Sequence, residues 1–438
     1  MKILLICYYF APQNVIGAIR PTKFAKYLSK MGHEVTVLCG TGFSELIDPL
    51  LNRDLESIPN VHIIKETNLL SKYRNYKKSK TTTQSHGTKT ETFQANTRKG
   101  LKHKIMDSFY VFLRNSAENS FKHKALAMLD TLPKDYDFIF STFGPLCVHD
   151  IALKAKEKKI APYWWADFRD FLTDDINMSE KTRTNALTKV AKYADKQSGV
   201  TKGIADTLYG KGEWLPNGFD LEDKQQCKDN VTNATPPYRF VYTGQFANRE
   251  KALSSLFTAI SILIKEKFIT LSDIELIYAG TQGSVFFEYA KDCGLESAVK
   301  LMGLVSRDQS IKLQTNTDFL LMISKNTEIA KGLFPGKLLE FFMADKPILC
   351  SITGNIPNSE IKSLLSKTKN GFCFEEATWE NDMPLLVDYL KNAITALREK
   401  RAVCPDKDIE FIQQFNYCNL SKRLANEMES IIAEGKKG

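Results

Sequence analysis

Hydrophobic and polar positions alternate along the chain in two recurring patterns. Short apolar runs such as ILLICYY (3–9) and EVTVLCG (34–40) are typical of buried strands, and the stretch between them, TKFAKYLSKMGH (22–33), has the period of a helix. A strand, a helix and a second strand in this order form a right-handed βαβ unit with a parallel sheet. The first half of the chain is therefore predicted to be α/β.

The same alternation restarts after the turn at 214–218. Helical stretches near 251–265 and 286–293 are interleaved with strand-like runs, which read YRFVYTG, IELIYAG, VKLMG, DFLLMIS and KPILCSI. The pattern predicts two α/β halves that meet near this turn.

An insertion at about 72–104 interrupts the first half. It carries one acidic residue, Glu91, in a Ser/Thr/Gln-rich background, against the basic residues Lys72, Arg74, Lys77, Lys78, Lys80, Lys89, Arg98, Lys99, Lys102 and Lys104. One interpretation is a solvated loop. The other joins the insertion to an amphipathic helix at 106–113 as a patch for anionic lipid head groups. The sequence leaves both open.

Composition narrows the class of protein. A chain of 438 residues with 43% hydrophobic and 25% charged residues is ordinary for a globular protein, and a net charge of +9 spread along it does not indicate nucleic-acid binding. Nine cysteines without a C-x-x-C spacing indicate a reducing cytosol. The N-terminal run lacks a small-residue cleavage site, and no apolar run approaches the roughly 20 residues of a membrane span. We expect a cytoplasmic protein that meets a membrane, if at all, from the side.

Several chemistries lack their motifs. The six histidines show no H-x-x-x-H or H-E-x-x-H spacing, so no metal site is predicted. There is no G-x-S-x-G elbow and no Walker loop. We expect neither a metal nor a cofactor.

The segment GLFPGKLLEFFMADKPIL (332–349) carries the most specific pattern. Pro335 suits the first turn of a helix, and Gly332 and Gly336 let the backbone approach a ligand. Lys337 in that turn opposes the helix dipole unless an anion such as a diphosphate binds there. Glu340, one turn on, can accept hydrogen bonds from the vicinal hydroxyls of a ribose. A local ion pair between the lysine and the glutamate is the alternative.

Three further segments follow predicted strands. Thr243-Gly244 ends a strand, and Arg249 and Lys251 come next, where a phosphate would meet an open α/β sheet; two solvated charges are the alternative. Residues 12–20 form a predicted flexible loop that contains Gly17 and Arg20 and leads into a helix. The run YWWADFRD (163–170) suits a sugar or polar acceptor, or else an aromatic core with a salt bridge at its rim.

In this order, the segments resemble the retaining GT-B glycosyltransferases of family 4, in particular bacterial enzymes of capsule, O-antigen and exopolysaccharide assembly. The resemblance covers most of the chain. It rests on the 12–20 loop, G-H-E-V at 32–35, D-x-R-D at 167–170, P-N-G-F-D at 216–220, Y-T-G at 242–244, and P-x-K-L-L-E at 335–340 followed by K-P-I-L at 346–349.

The resemblance implies two Rossmann-like domains with parallel sheets facing a cleft. The acceptor domain would be 1–215, the nucleotide-sugar donor domain 216–410, and a helix in 411–438 would cross back to the first domain. Lys251 matches a lysine that contacts the donor diphosphate, and Glu340 matches the second glutamate of the family's E-x7-E pattern. The first glutamate would fall at Gly332, and the usual arginine after the strand-end glycine is Gln245.

The resemblance also yields a set of candidate site residues. Lys337, with Arg249, would supply the positive charge missing at these two positions. Candidate donor-binding residues are Gly17, Gly244, Arg249, Lys251, Pro335, Gly336, Lys337, Leu338 and Glu340. Candidate acceptor-binding residues are Arg20, Asp167 and Arg169, and candidate catalytic residues are Lys251, Lys337, Asp167 and His149.

The expected activity is metal-independent, hexosyltransferase-like transfer of a sugar from a nucleoside diphosphate to a lipid-linked saccharide acceptor, with retention of configuration. Expected partners are a nucleotide-sugar, that lipid-linked oligosaccharide and the cytoplasmic face of the inner membrane. Two alternatives remain open: a sugar-nucleotide epimerase of the same fold, and a non-catalytic partner in polysaccharide assembly.

Overall fold

The computed structural model describes residues 1–42, 46–66, 101–170, 179–210, 212–226, 235–328 and 336–435, with the side chains of 101–111 excepted. The described chain packs into two compact units. The first contains Met1–Ser198, Leu208–Gly212 and Glu427–Gly438, and the second contains Gly199–Thr207 and Glu213–Asn426. The functional assignment of 1–215, 216–410 and 411–438 stays a prediction, and most of the predicted basic insertion lies outside the described residues.

The first unit is built on a sheet in the strand order β3-β2-β1-β4-β5-β6. Its strands are β1 (Lys2–Ile6), β2 (Glu34–Gly40), β3 (Asn60–Ile64), β4 (Phe138–Thr142), β5 (Tyr163–Phe168) and β6 (Lys196–Gly199). Its helices are Ile16–Lys30, Pro49–Asp54, Leu101–Met128, Cys147–Glu157 and Glu180–Tyr193. The pairs β1–β2, β1–β4, β2–β3 and β4–β5 are parallel.

The first helix corrects the sequence interpretation. It begins at Ile16, so Gly17 and Arg20 are helical and the predicted flexible loop ends earlier. Pro21 lies inside this helix. Pro21 is past the first turn and cannot donate to the carbonyl of Gly17, four residues before it, but that carbonyl accepts a hydrogen bond from Arg169 instead.

The second unit has a six-stranded sheet in the order β10-β9-β8-β11-β12-β13. After the two-residue strand β7 (Glu213–Trp214), its strands are β8 (Tyr238–Thr243), β9 (Ile274–Ala279), β10 (Val299–Gly303), β11 (Phe319–Lys325), β12 (Ile348–Thr353) and β13 (Gly371–Glu375). Its helices are Lys202–Thr207, Leu221–Gln226, Leu253–Lys265, Gly283–Asp292, Arg307–Thr315, Gly336–Ala344, Glu360–Thr368, Trp379–Arg398 and Ile409–Gln413. A last helix, Tyr417–Gly435, ends the described chain.

Both sheets reverse their strand order beside a central strand. The reversal falls between β1 and β4 in the first sheet and between β8 and β11 in the second. In open parallel sheets, ligands bind beyond the carboxyl ends of the strands at such a switch point. The residues that follow β8 and β1 are therefore the first places to look for a site.

The outer strand of the second sheet is unusually apolar on its surface. Leu301 and Met302 in β10 are 47% and 41% exposed, and Leu304 just beyond it is 75% exposed. The central strands β8 and β11 are by contrast almost entirely buried. Within the described residues, no helix combines the length and apolar character needed to span a membrane.

Candidate functional site

Lys337 lies at the start of the helix Gly336–Ala344 and points to the carboxyl end of β8. Its ammonium donates a hydrogen bond to the carbonyl of Thr243, the last residue of that strand, and lies 4.8 Å from the centre of the Tyr242 ring. Leu338 and Leu339 are buried and fix the helix in the core. Burial lowers the pKa of Lys337 to about 8, an effect that nearby Glu340 opposes and Arg249 reinforces. The lysine therefore holds a cation in a poorly hydrated position.

Gly244 permits this approach. Its φ of +103° lies in the region that favours glycine, and a Cβ atom built on it would lie 2.5 Å from the Lys337 Nζ. Its carbonyl accepts a hydrogen bond of 3.0 Å from the Tyr278 hydroxyl. The strand end is thus shaped around the ammonium group.

A tight turn places Arg249 beside the same strand end. Ala247 and Asn248 both have positive φ, at 50° and 60°, and the Arg249 N–H donates to the Phe246 carbonyl at 3.1 Å. This is the pattern of a type I′ turn, which non-glycine residues seldom form at both central positions. Arg249 is half-buried, its Nε has no hydrogen-bond partner, and burial lowers its pKa.

Lys337 and Arg249 are two neighbouring cationic groups, and neither touches a carboxylate of the described chain. The Arg249 charge lowers the pKa of Lys337, and no carboxylate in the described part of the chain lies within 4 Å of either cationic group. Two buried like charges repel unless an anion neutralises them. The arrangement can bind a phosphate or diphosphate.

The nearest cationic partner of Glu340 is Arg307, and although the Glu340 charge raises the pKa of Lys337, the two form no ion pair within 4 Å. Its Oε1 lies 3.6 Å from the Nε of Arg307, and Arg307 donates a hydrogen bond of 2.8 Å to the buried Asp223. The Glu340 side chain keeps 26% of its surface exposed. It can therefore accept hydrogen bonds from a ligand's hydroxyl groups.

Lys251 takes a different partner. Its ammonium lies 3.0 Å from Oε1 of Glu376, and the side chain is 74% exposed. The second oxygen of Glu376 accepts from the Gly354 N–H at 2.9 Å. The structure thus joins Lys251 to the end of β13, and contact with a diphosphate would require this exposed pair to open. Gly336 lies at the helix start, whereas Pro335 and Gly332 lie outside the described residues.

In the first unit, Arg20 and Asp167 pair with each other in the interior. Two hydrogen bonds of 2.9 and 2.8 Å join them, and both side chains are buried. Thr142 and Ser198 donate to the same carboxylate at 2.9 and 2.8 Å. With four donors around it, Asp167 is satisfied without a ligand. The salt bridge that Asp167 makes lies in the interior and not at a rim, and a role for Arg20 and Asp167 toward an acceptor or in catalysis stays a prediction.

Arg169 binds three backbone carbonyls at the switch point of the first sheet. Its guanidinium donates to Phe143, Gly144 and Gly17. A Cβ on Gly144, where φ is +107°, would lie 2.4 Å from the guanidinium. Arg169 therefore clamps the segment after β1 to the segment after β4. Gly17, predicted to contact the donor, contacts Arg169.

His149 is a core residue. It is 2% exposed, its Nδ1 lies 2.9 Å from the Ser141 hydroxyl, and its ring packs 4.6 Å from that of Phe168. Burial lowers the pKa of His149 to about 4, so the ring is neutral near pH 7. Its predicted catalytic role is not tested by this packing and stays a prediction.

The structure thus brings together Lys337, Gly244 and Arg249, with Glu340 on the same helix. Sequence reasoning missed Arg307, Asp223 and Glu376. The only local signal for Arg307 was the capping box that starts its helix, Ser306 with Gln309. Its partners lie far away in the chain.

Comparison with known proteins finds a family match over the residues of this site. Residues 237–384 match the family model described as glycosyl transferases group 1, and this range contains Gly244, Arg249, Lys337 and Glu340. No curated protein matches the chain by sequence.

Solved structures share the architecture at low identity. One from E. coli, described as trehalose-6-phosphate bound with UDP-2-fluoro glucose, is 10% identical, with 98% of this chain and 99% of that chain covered and a TM-score of 0.58. The lipopolysaccharide outer core galactosyltransferase WaaB is 14% identical, with coverages of 98% and 99% and a TM-score of 0.52. The chain has the GT-B fold.

This fold alone does not choose an activity. UDP-GlcNAc 2-epimerase from Methanocaldococcus jannaschii is also similar, at 10% identity, coverages of 98% and 100% and a TM-score of 0.51. The group 1 match over the second unit favours transfer. Together, the family match over 237–384 and the fold support a glycosyltransferase.

Proposed function

We propose that this protein is a retaining, family 4 glycosyltransferase that moves a sugar from a nucleoside diphosphate to a hydroxyl of a lipid-linked saccharide in bacterial surface polysaccharide assembly. The observation that carries the proposal is the cationic pair of Lys337 and Arg249 at the end of β8, with no carboxylate of the described chain within 4 Å. It fits a diphosphate leaving group. The group 1 match over the same residues supports a sugar-nucleotide as its source.

The reaction breaks the bond between the anomeric carbon and the diphosphate oxygen and forms a bond from the acceptor oxygen to the same face of that carbon. The acceptor proton passes to the departing phosphate. Negative charge grows on the diphosphate as it leaves, so Lys337 and Arg249 stabilise the transition state more than the bound donor. These fixed charges are the reason we propose a metal-independent reaction. Glu340 holds the ribose.

Lys251 adds a third cation once the donor is bound. Its pair with Glu376 is exposed and therefore worth at most about 1 kcal/mol, so a diphosphate can displace the carboxylate. The hexose, the lipid-linked acceptor and a location at the cytoplasmic face of the inner membrane belong to the proposal as well. Their support is the resemblance of the motifs to polysaccharide-assembly enzymes.

The first test measures thermal shift and nucleoside-diphosphate release with a panel of UDP-, GDP- and dTDP-sugars. Glu340→Ala and Lys337→Ala are compared with Glu288→Ala, which removes an exposed carboxylate from the helix Gly283–Asp292. We expect one nucleotide class to stabilise the unaltered protein and the Glu288 variant. Loss of one Glu340 hydrogen bond should weaken donor binding at least about tenfold.

Each contrary result has a definite meaning. Unchanged donor kinetics in Glu340→Ala would remove the ribose assignment. Conversion of a sugar-nucleotide without acceptor and without release of nucleoside diphosphate would identify an epimerase. No response to any donor would favour a non-catalytic assembly partner.

A further inference from the structure

Arg307 joins a buried carboxylate to the residue assigned to the ribose. It begins the helix Arg307–Thr315, its side chain is 14% exposed, and it donates to Oδ2 of Asp223 at 2.8 Å. Asp223 is 1% exposed and belongs to the helix Leu221–Gln226. A guanidinium held by so buried a carboxylate has little freedom to move, because breaking the bond would leave a buried charge without this partner.

The same guanidinium also lies near Glu340. The Nε of Arg307 lies 3.6 Å from Oε1 of Glu340, beyond hydrogen-bond length but close for opposite charges. Glu340 is 26% exposed, so much of its carboxylate remains open to a ligand. A glutamate has several rotatable bonds, and one charge at a fixed place can select among its rotamers.

We infer that Arg307, fixed by Asp223, is a positioning residue that holds the Glu340 carboxylate for a ribose and so makes the site selective for ribonucleotides over 2′-deoxyribonucleotides. This inference rests on the proposed function. A carboxylate accepts hydrogen bonds and donates none, so each ligand hydroxyl that donates to it increases the binding affinity. A sugar without its 2′-hydroxyl loses one charge-assisted hydrogen bond to Glu340. If Glu340 were not held in place, the protein would no longer bind the two sugars with different affinities.

The test is binding of UDP, GDP and ADP and their 2′-deoxy counterparts, measured by calorimetry on the full chain. For the best-bound base, we expect the unaltered protein to prefer the ribonucleotide at least about tenfold, the value of one charge-assisted hydrogen bond. In Arg307→Gln, ribonucleotide affinity should fall about tenfold more than deoxyribonucleotide affinity, because the deoxyribonucleotide has only its 3′-hydroxyl contact to lose, and the preference should approach one.

Three further variants complete the design. Asp223→Asn keeps Glu340 and Arg307 but weakens the hydrogen bond that fixes Arg307. The preference of this variant for ribonucleotides should therefore fall between those of the unaltered protein and Arg307→Gln. The double variant of Arg307→Gln with Glu340→Gln should bind like Glu340→Gln alone if Arg307 acts through the glutamate. Lys312→Gln, which changes a partly exposed cation on the same helix, should bind like the unaltered protein.

The outcomes separate this inference from the proposed function. Equal loss of ribo- and deoxyribonucleotide affinity in Arg307→Gln would overturn the positioning role, as would an unchanged preference. Additive losses in the double variant would also overturn it. Failure of the unaltered protein to bind any nucleotide would overturn the donor site itself, and the inference with it. A circular dichroism melt of each variant identifies one that has lost its fold.

Discussion

At the scale of single residues, the closest fit in the donor site is that of Gly244 against Lys337. In Gly244→Ala, a methyl group would occupy the position 2.5 Å from the ammonium, and alanine would also be strained at a φ of +103°. We expect nucleoside-diphosphate affinity to fall at least about tenfold, together with a loss of about 1 kcal/mol in unfolding free energy.

Gly294→Ala is the matched control for that change. Gly294 has a φ of +71°, and a Cβ built there has no atom within 4 Å. It should show the backbone cost in a denaturation experiment and keep nucleotide affinity. Equal affinity losses in the two variants would mean that the contact with Lys337 is irrelevant to binding.

The pH dependence of donor binding should follow the protonation of Lys337. Burial lowers its pKa from 10.5 to about 8, so the unliganded protein loses this charge as the pH rises above 8. UDP affinity should then fall by up to about tenfold per pH unit, and Lys337→Gln should abolish this fall. Binding titrations between pH 7 and pH 9.5 provide the measurement.

The lowered pKa of Lys337 affects folding stability in the opposite direction to donor binding as the pH rises. Between about pH 8 and 10.5, the unfolded chain holds the Lys337 proton more often than the folded one. The contribution of Lys337 to the unfolding free energy therefore rises with pH across this window. A Lys337 contribution that fell there would show that the ammonium is not buried.

At the scale of elements, the turn 246–249 stores strain. Ala247 has a φ of 50° without the freedom of glycine. Ala247→Gly should raise the unfolding free energy by up to about 1 kcal/mol, since a left-handed alanine costs about that much. Ala290→Gly, in the buried interior of the helix Gly283–Asp292, should lower it by a similar amount. Chemical denaturation distinguishes the two signs.

The sequence predicted the elements better than their contacts. Apolar runs placed the strands, and the apolar run after Lys337 correctly indicated a helix, which the structure describes as Gly336–Ala344, because these signals are local. Helix starts were less certain, as Pro21 inside the first helix shows. The partners could not be predicted: Arg20 and Asp167 are 147 residues apart, Arg307 and Asp223 are 84 apart, and Lys337 and Thr243 are 94 apart. Spacing along one helix cannot choose among such partners.

At the scale of the whole molecule, the two units should respond differently to substitution. Arg169 holds three carbonyls in the first unit, and a lysine cannot reproduce that planar set of donors. Arg169→Lys should lower acceptor-dependent nucleotide release about tenfold, with a bacterial lipid extract as the source of acceptor. UDP binding to the second unit should stay within about twofold.

Arg183→Lys serves as its control, because Arg183 lies in the first unit on the helix Glu180–Tyr193, which connects β5 to β6 and does not follow β1 or β4. It should preserve both properties. If Arg169→Lys instead weakened UDP binding as much as transfer, the assignment of the donor to the second unit would be wrong.

The apolar outer strand β10 affects how the protein behaves when concentrated. Among the described strands β10 is the edge of its sheet, and an edge that carries Leu301 and Met302 on its surface is a template for another strand. At low ionic strength, the net charge of +9 keeps two copies apart. In about 1 M salt the screening length shrinks to about 3 Å, and this repulsion no longer protects the edge. Precipitation with salt should therefore begin at β10, and a charge at Met302 should make the protein more soluble.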